Sequence, residues 1–346
     1  MRQGLKNNNM LVLGIESSCD ECSASVVEDG RLILSNNIAT QIDIHKAYDG
    51  VVPEIASRTH TEWVKGVVET ALIEAGTKLE KIDGIAVTNR PGLIGSLMVG
   101  LSFAKGLSMS SGIPFIGIDH ILAHLYAAQL EFEIEYPFMG LIVSGGHTII
   151  SVVRDFDDIE VMGTTIDDAC GEAYDKVAKF YGFGYPGGLI IDQMAQKGDE
   201  HAFNFPDPSL RKGEHRYDVS YSGLKTAVIN QIDQFHNEGY EKSAENIAAS
   251  FQKAAITMLT KRLFKASADT GINRIVAGGG VAANSYLRSL LTNKNNLEVY
   301  FPSMELCTDN AAMVAGLGYH YLKRGDRSGF DLSAGSRVEG FRKKYP

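Results

Sequence analysis

Short apolar runs and β-type alternation dominate the first forty residues. Leu11–Ile15, Cys22–Val27 and Leu32–Asn36 read as three strands, and Asp29-Gly30 between the last two is a hairpin signal, so the chain opens as a β-meander. The period then lengthens. From about Glu54 to Ala75 the apolar residues Ile55, Val64, Val67, Val68, Ala71 and Leu72 recur at helical spacing, and Gly76 ends the pattern. A buried strand is expected over Ile82–Thr88, a turn at Arg90-Pro91-Gly92, a small-residue helix over Leu93–Ser110 and a strand over Phe115–Ile118. Asp119 then stands where a helix N-cap belongs.

The same pattern restarts near Phe138. Strands are expected over Met139–Val143, Thr148–Arg154 and Ile159–Gly163, followed by a helix over Asp167–Tyr181. A Gly/Pro/Asp-rich excursion over about 182–223 reads as an insertion at the rim of a site. A long helix over Asn246–Thr270, a strand over Arg274–Ala277 and a helix over Asn310–Lys323 close the core. Two β-meander-plus-helix halves predict an α/β chain with a duplicated two-lobe fold of the actin/sugar-kinase/heat-shock ATPase type around a central cleft. No GxGxxG follows the first strand, which disfavours a plain Rossmann fold. The expected division is an extension over 1–9, a first lobe over 10–125 on which the helix at about 310–323 can pack back, a second lobe over 126–309, and a surface tail over 324–346.

Two strands run straight into turns of tiny or polar residues: Leu11–Ile15 into Glu16-Ser17-Ser18, and Leu141–Val143 into Ser144-Gly145-Gly146. Small residues allow close approach of a ligand, and their free N–H groups can form a nest around an anion. Both turns are therefore expected to receive phosphate, which points to nucleotide or acyl-phosphate chemistry.

His120 and His124 lie one helical turn apart on one face, a spacing that lets both rings chelate one metal ion. A zincin-type peptidase needs Glu directly after the first His, and Ile121 stands there instead. Asp309 is the best third ligand, with a helix cap as its equally ordinary alternative and Cys307 as a competing ligand. A His₂Asp set leaves positions open for substrate, and both iron and zinc suit it. Gly278-Gly279-Gly280 with Asn284 offers a flat seat and a hydrogen-bonding side chain for a base, or else a crowded packing turn. Tyr185-Pro186-Gly187-Gly188 with Asp192 suits a ribose or an amino-acid head group.

At 346 residues, two lobes are the natural expectation. Hydrophobic content of 44% and charged content of 22% are those of a globular protein, and no apolar run is long enough to span a bilayer. Four scattered cysteines argue against a disulfide scaffold and favour a reducing cytoplasm. Cys19 and Cys22 have redox spacing, but the acidic pair between them should raise their pKa values. The net charge of −9 disfavours unaided non-specific nucleic-acid binding, so any RNA contact must gather cations such as Lys225, Arg90, Lys46 and Arg58, or use a helper subunit.

Ordered motifs carry a family resemblance. Leu13-Gly-Ile-Glu-Ser-Ser-Cys-Asp20-Glu21, Gly50-Val-Val-Pro-Glu54, Pro91-Gly-Leu-Ile-Gly95, His120-x-x-x-His124, Val143-Ser-Gly-Gly-His-Thr148, Tyr185-Pro-Gly-Gly188, Ser222-Gly-Leu-Lys225-Thr226, Gly279-Gly-Val-Ala-Ala-Asn284 and Cys307-Thr-Asp-Asn310 occur over nearly the whole chain. The set resembles the TsaD family of tRNA threonylcarbamoyladenosine transferases, once labelled O-sialoglycoprotein endopeptidases. The resemblance implies transfer of a threonylcarbamoyl group from threonylcarbamoyl-AMP to N6 of adenosine 37 of ANN-decoding tRNA. It implies one divalent metal per subunit, Fe2+ in preference to Zn2+, on His120, His124 and Asp309. Substrate contacts carry over to Ile142, Val143, Ser144, Gly145, Gly146, Asp175, Gly188, Asp192 and Asn284. A paralogous TsaB-like subunit and a TsaE-like ATPase are the implied partners, in the cytoplasm and away from membranes. Arg90, Leu189 and Cys22 depart from the family pattern. The competing readings are an ATP-dependent small-molecule kinase of the same fold and a non-catalytic nucleotide-binding scaffold.

Overall fold

The computed structural model describes residues 9–207 and 215–337. The expected extension is therefore described only at Asn9, and parts of the expected insertion and tail lie outside the described residues. The chain divides into two compact units. The first comprises residues up to 41, 52–133 and 309–337; the second comprises 42–51 and 134–308.

In the first unit, β1 (Leu11–Glu16), β2 (Glu21–Glu28) and β3 (Leu32–Thr40) form an antiparallel meander, and β4 (Gly84–Arg90) and β5 (Phe115–Asp119) add in parallel, giving the order β3-β2-β1-β4-β5. The β2–β3 hairpin turns through Asp29 and Gly30, at φ 50° and 76°, the left-handed pair that a tight primed turn demands. A Cβ at Gly30 would also meet the Tyr319 ring at 2.5 Å. Helices Pro53–Glu74 and Ile94–Ser111 bury Val64, Val67, Leu101 and Ala104 against the sheet. The helix Ala311–Arg324 belongs to this unit and crosses β1 so closely that a Cβ at Gly14 would lie 2.2 Å from the Ala311 carbonyl oxygen.

The second unit repeats the design. β6 (Phe138–Val143), β7 (Thr148–Asp155) and β8 (Asp158–Thr164) form the meander, while β9 (Arg274–Gly278) and β10 (Glu298–Tyr300) add in parallel, giving the order β10-β9-β6-β7-β8. Reversed, that is the first unit's order, so β6 occupies the place of β1. Its core gathers Met139, Leu141, Tyr174, Phe251 and Leu259, with the 27-residue helix Ala244–Thr270 as its longest element.

Three expectations need correction. The helix expected from Asp167 begins at Cys170, because Asp167 turns back to accept hydrogen bonds from the Tyr221 amide (2.8 Å) and the Ser220 hydroxyl (2.5 Å). The excursion after Gly182 is no plain loop: it holds the helix Gly187–Ala195, whose opening Pro-Gly-Gly hid it from a propensity reading. The segment after Lys323 is more than surface. Leu332 packs against the first core, and Lys105 Nζ donates to the carbonyls of Phe330 (2.8 Å) and Leu332 (2.5 Å).

Candidate functional site

Asp119 ends β5 and caps the following helix, accepting from the amides of Ile121 and Leu122 at 2.9 and 3.3 Å. That cap launches the helix His120–Tyr126 straight off the sheet and sets His120 and His124 on one face, both buried. Their Nε2 atoms lie 3.1 Å apart, with ring planes at 82°. Asp309 Oδ1 approaches His124 Nε2 to 3.0 Å and His120 Nε2 to 3.6 Å. Among the described residues these three form the one group able to offer a metal three ligand atoms, all within 4.8 Å of one another. The alternative role for Asp309 is filled by its neighbour: Asn310, not Asp309, caps the helix Ala311–Arg324, accepting from Met313 N–H at 3.0 Å. Cys307, the competing ligand, belongs to the second unit, where its sulfur accepts from Arg288 Nη2 at 3.1 Å.

The electrostatics fit a cation. Burial alone would lower the pKa of His120, but the carboxylates of Asp309 and Glu16 raise it to about 9. His124 is pushed down, by burial and then by the charge of His120. Glu21 rises well above the usual carboxylate range through burial and the nearness of Asp309. Concentrated negative potential with two imidazoles is the donor set that a borderline divalent ion favours over a proton. The neighbouring thiols are held in the protonated, less nucleophilic form. Burial pushes Cys22 up to about 12, and burial with Asp20 raises Cys19 well above its ordinary value.

The turn at the end of β1 is closed, contrary to its expected role as a phosphate nest. Ser17 and Ser18 are buried; Ser17 Oγ donates to the Ser96 carbonyl (3.0 Å), and the Ser18 carbonyl accepts from the Leu93 amide (2.8 Å). Glu16, fully buried, takes the Ser18 amide for itself at 2.6 Å. A carboxylate fills the place where an anion was expected. Sequence reading missed Glu16, although an ionisable residue directly after the apolar run Leu11–Ile15 was a visible signal.

The turn at the end of β6 is open. Ser144 is fixed by its own loop, donating from its amide to the His147 carbonyl (2.8 Å) and accepting from the His147 amide (3.1 Å) through Oγ. Gly145 and Gly146 are exposed, a Cβ on either would meet nothing within 4 Å, and among the described residues nothing accepts a hydrogen bond from either amide. Ile142 and Val143 are buried in β6 beneath them, so only their backbone is offered to a ligand. Two close approaches hold the turn. Gly171 packs on it where a Cβ would lie 2.8 Å from the Ser144 carbonyl, and Gly279, at φ 90°, backs onto Val143 where a Cβ would lie 2.6 Å from the carbonyl oxygen.

The remaining predicted residues form an internal network in the same unit. Asp175 accepts from the Gly187 amide at 2.9 Å, and Gly188 beside it faces open space. Asp192 accepts from Ser285 Oγ (2.7 Å), Ser285 N (3.2 Å) and Asn284 Nδ2 (3.2 Å). Asn284 is not a free arm. Its Oδ1 caps the helix Ser285–Thr292 through the Leu287 amide (3.0 Å), and its Nδ2 also donates to the buried Gln252 at 2.7 Å. Of the candidate cations, Lys225 is paired with Asp168, Arg58 with Glu54, and Arg90 with Asp119 at 3.5 Å.

Comparison with known proteins agrees with this anatomy. The dehydratase activator "component A" of Acidaminococcus fermentans superposes with a TM-score of 0.56 at 15% identity over 91% of this chain and 99% of its own. Full-length HypF, in a phosphate- and nucleotide-bound form, gives 0.62 at 16% identity over 92% of this chain and 47% of HypF. These share the actin-like ATPase fold alone. The tRNA N6-adenosine threonylcarbamoyltransferase of Treponema denticola is 65% identical over 97% of this chain and 99% of its own, and that of Borreliella burgdorferi is 54% identical over 97% and 96%. The TsaD family model, described as tRNA N6-adenosine threonylcarbamoyltransferase, matches residues 32–316. The chain belongs to the TsaD family of tRNA N6-adenosine threonylcarbamoyltransferases.

Proposed function

We propose that this chain moves a threonylcarbamoyl group from threonylcarbamoyl-AMP to N6 of adenosine 37 of ANN-decoding tRNA, with a divalent ion held by His120, His124 and Asp309. The observation that carries the metal-assisted reading is the convergence of two Nε2 atoms and one carboxylate oxygen within 4.8 Å. Such an ion would supply Lewis-acid polarisation of a substrate oxygen, and Fe2+ is our preferred identity over Zn2+. The donor set supports a transition metal over magnesium or calcium, since imidazole outnumbers oxygen.

The chain's own residues supply the rest. The exposed Gly145 and Gly146 amides, two N–H donors without an acceptor among the described residues and without a side chain in the way, are suited to receive the AMP phosphate. Asp192 and Asp175, held by backbone amides, are suited to fix hydroxyl or ammonium groups of the substrate in one orientation. Asn284 and Gln252 support Asp192 from behind. In the reaction the adenosine N6 attacks the carbamoyl carbon, the new C–N bond forms, the bond from that carbon to the phosphate oxygen breaks to release AMP, and the N6 proton leaves to solvent.

We further propose that a TsaB-like paralogue and a TsaE-like ATPase complete the system, and that it works in the cytoplasm. The paired state of Arg58, Arg90 and Lys225 supports a need for cations from elsewhere. Among the described residues no helix is long and apolar enough to cross a membrane. The kinase reading leaves the His₂Asp cluster unused, and a scaffold needs no metal. Mass spectrometry of nucleosides from tRNA incubated with the chain, threonylcarbamoyl-AMP and these partners tests the proposal. Threonylcarbamoyladenosine is expected with the native protein and absent with His120→Ala. Elemental analysis after anaerobic purification distinguishes iron from zinc.

A further inference from the structure

The two imidazoles of the candidate metal centre are supported unequally. Nδ1 of His124 is buried without a hydrogen-bond partner, so nothing on that side of the ring fixes its tautomer. Nδ1 of His120 faces Glu16 Oε2 at 3.2 Å and Ser18 Oγ at 3.1 Å. Glu16 is itself pinned from three sides: the Ser18 amide reaches Oε1 at 2.6 Å, and the Thr88 hydroxyl shares Oε2 with His120. Its carboxylate sits at the end of β1 and Thr88 lies on the adjacent β4, each one residue beyond the registered Ile15–Val87 pair. A metal-bound histidine needs its proton on the nitrogen away from the metal, and a buried carboxylate there holds the proton and the ring plane in place.

We infer that Glu16 is the positioning residue of this centre: it holds a proton on His120 Nδ1 and so keeps the Nε2 lone pair directed at the metal. The inference rests on the metal reading above. It assigns a task to the closed first turn, which the phosphate expectation left without one.

Geometry also fixes what the isosteric variant would do. In Glu16→Gln the amide NH₂ cannot sit at the Oε1 position, where it would oppose the Ser18 N–H at 2.6 Å. It must take the Oε2 position and donate toward His120 Nδ1, which moves the ring proton to Nε2 and blocks the ligand atom. Loss of such a partner typically weakens metal binding about 10–100-fold.

The test measures zinc alone, by chelator competition, on the full chain in its native, His120→Ala, Glu16→Gln and Glu16→Asp forms, alongside the melting temperature of each metal-free protein. Native binding that His120→Ala abolishes establishes the centre first; equal binding by these two would remove the metal reading itself, and this inference with it. Given that centre, Glu16→Gln should weaken zinc about 10–100-fold. Imidazole ¹⁵N spectra of the metal-free proteins, at a pH where both rings are neutral, should show the His120 proton on Nδ1 in the native chain and on Nε2 in Glu16→Gln. Should Glu16→Gln fail to fold, Glu16→Asp decides: it keeps the Nδ1 tautomer but draws the acceptor back by one methylene, and weaker zinc binding is expected. A purely structural Glu16 would lower the melting temperature while leaving tautomer and zinc affinity as in the native chain. That result would overturn the inference.

Discussion

The ends of β1 and β6 occupy the same place in two copies of one sheet design, yet one is shut and the other open. At β1 a buried carboxylate, two buried serines and the carbonyl of Ser96 consume the turn's polar groups internally. At β6 the Ser144 side chain serves its own loop, and the amides of two exposed glycines are left without an acceptor among the described residues. Both turns look alike as strings of small residues. What separates them is what lies overhead: at β1, the helix Ile94–Ser111 brings Gly100 to where a Cβ would meet Ser17 Oγ at 2.3 Å. Small residues at the first turn admit protein, and at the second they leave room for a ligand. On the proposed reading, one copy of the duplicated fold supports the His120/His124/Asp309 cluster while the other leaves two glycine amides without an acceptor.

The most severe way to break this contrast is to remove the imidazoles. His120→Ala/His124→Ala is expected to abolish metal binding and tRNA modification while the protein stays folded, because the two rings sit at one helix end and the sheet core of the first unit does not include them. Elemental analysis and circular dichroism on the same sample check this. Stoichiometric metal in a folded double variant would refute the assignment.

Paired glycine substitutions sharpen the comparison next. At Gly14 an added Cβ would meet a backbone oxygen at 2.2 Å, and the helix Ala311–Arg324 would have to shift, so Gly14→Ala should cost about 1–3 kcal/mol of stability. At Gly145 an added Cβ meets no protein atom within 4 Å, so Gly145→Val has open space to enter. Stability there should change by about 0.5 kcal/mol or less, while affinity for AMP falls about tenfold or more. Denaturant titration and calorimetry on both variants give the answer, and the reverse pattern would exchange the roles of the two turns.

Proton linkage gives a third, smaller test. His120 titrates at about 9 in the folded, metal-free protein against an ordinary 6.5. A raised histidine pKa stabilises the fold fully below the unfolded value, and that contribution is lost as pH climbs through about 9. The metal-free protein should therefore lose stability over that window. Metal affinity should move the opposite way, increasing as pH rises toward 9, because binding must expel the His120 proton. Calorimetry in buffers of different ionisation enthalpy should register a proton released on metal binding near neutral pH, and zero release would contradict the pKa order.

Much of this was legible in the sequence because it was local. The His pair is a one-turn spacing on one helix, and the meanders and long helices follow their periodicities to within a few residues. Asp309 was only half legible, since its bond to His124 spans 185 positions and its rival role as a cap depended on which neighbour took the Met313 amide. Glu16 was invisible as a partner of His120, because that contact exists only once β1, β4 and β5 lie side by side. The partners of Asn284 were equally out of reach: the sequence offers its amide to a ligand or to a packing turn, and only the fold shows it bonded to Gln252, Asp192 and the Leu287 amide. Sequence shows which groups can bond, and only tertiary structure shows which have already done so.

The same lesson sets the smallest prediction, at Lys225. As the cation of Ser-Gly-Leu-Lys, expected as a loop but found to open the helix Ser222–Asn230, it was one of the candidates to hold a tRNA phosphate. In the structure its Nζ pairs with Asp168, a carboxylate that Lys176 also contacts at 2.9 Å, and the two lysines hold the Asp168 carboxyl below its usual pKa despite the opposing effect of burial. A lysine already neutralised in this way offers little net attraction to a phosphate, and Lys176 remains to pair Asp168 if Lys225 is lost. Lys225→Glu should therefore lower stability by about 1 kcal/mol or less, the scale of a partly exposed ion pair. Modification of tRNA at physiological salt should stay within about twofold of the native rate, with an unchanged salt slope, because no phosphate contact has been removed. Rates measured across a salt series decide the matter. A tenfold loss with a shallower slope and an unchanged melting temperature would mean that tRNA displaces Asp168 from Lys225, and would return the start of the helix Ser222–Asn230 to the second unit's ligand-facing surface.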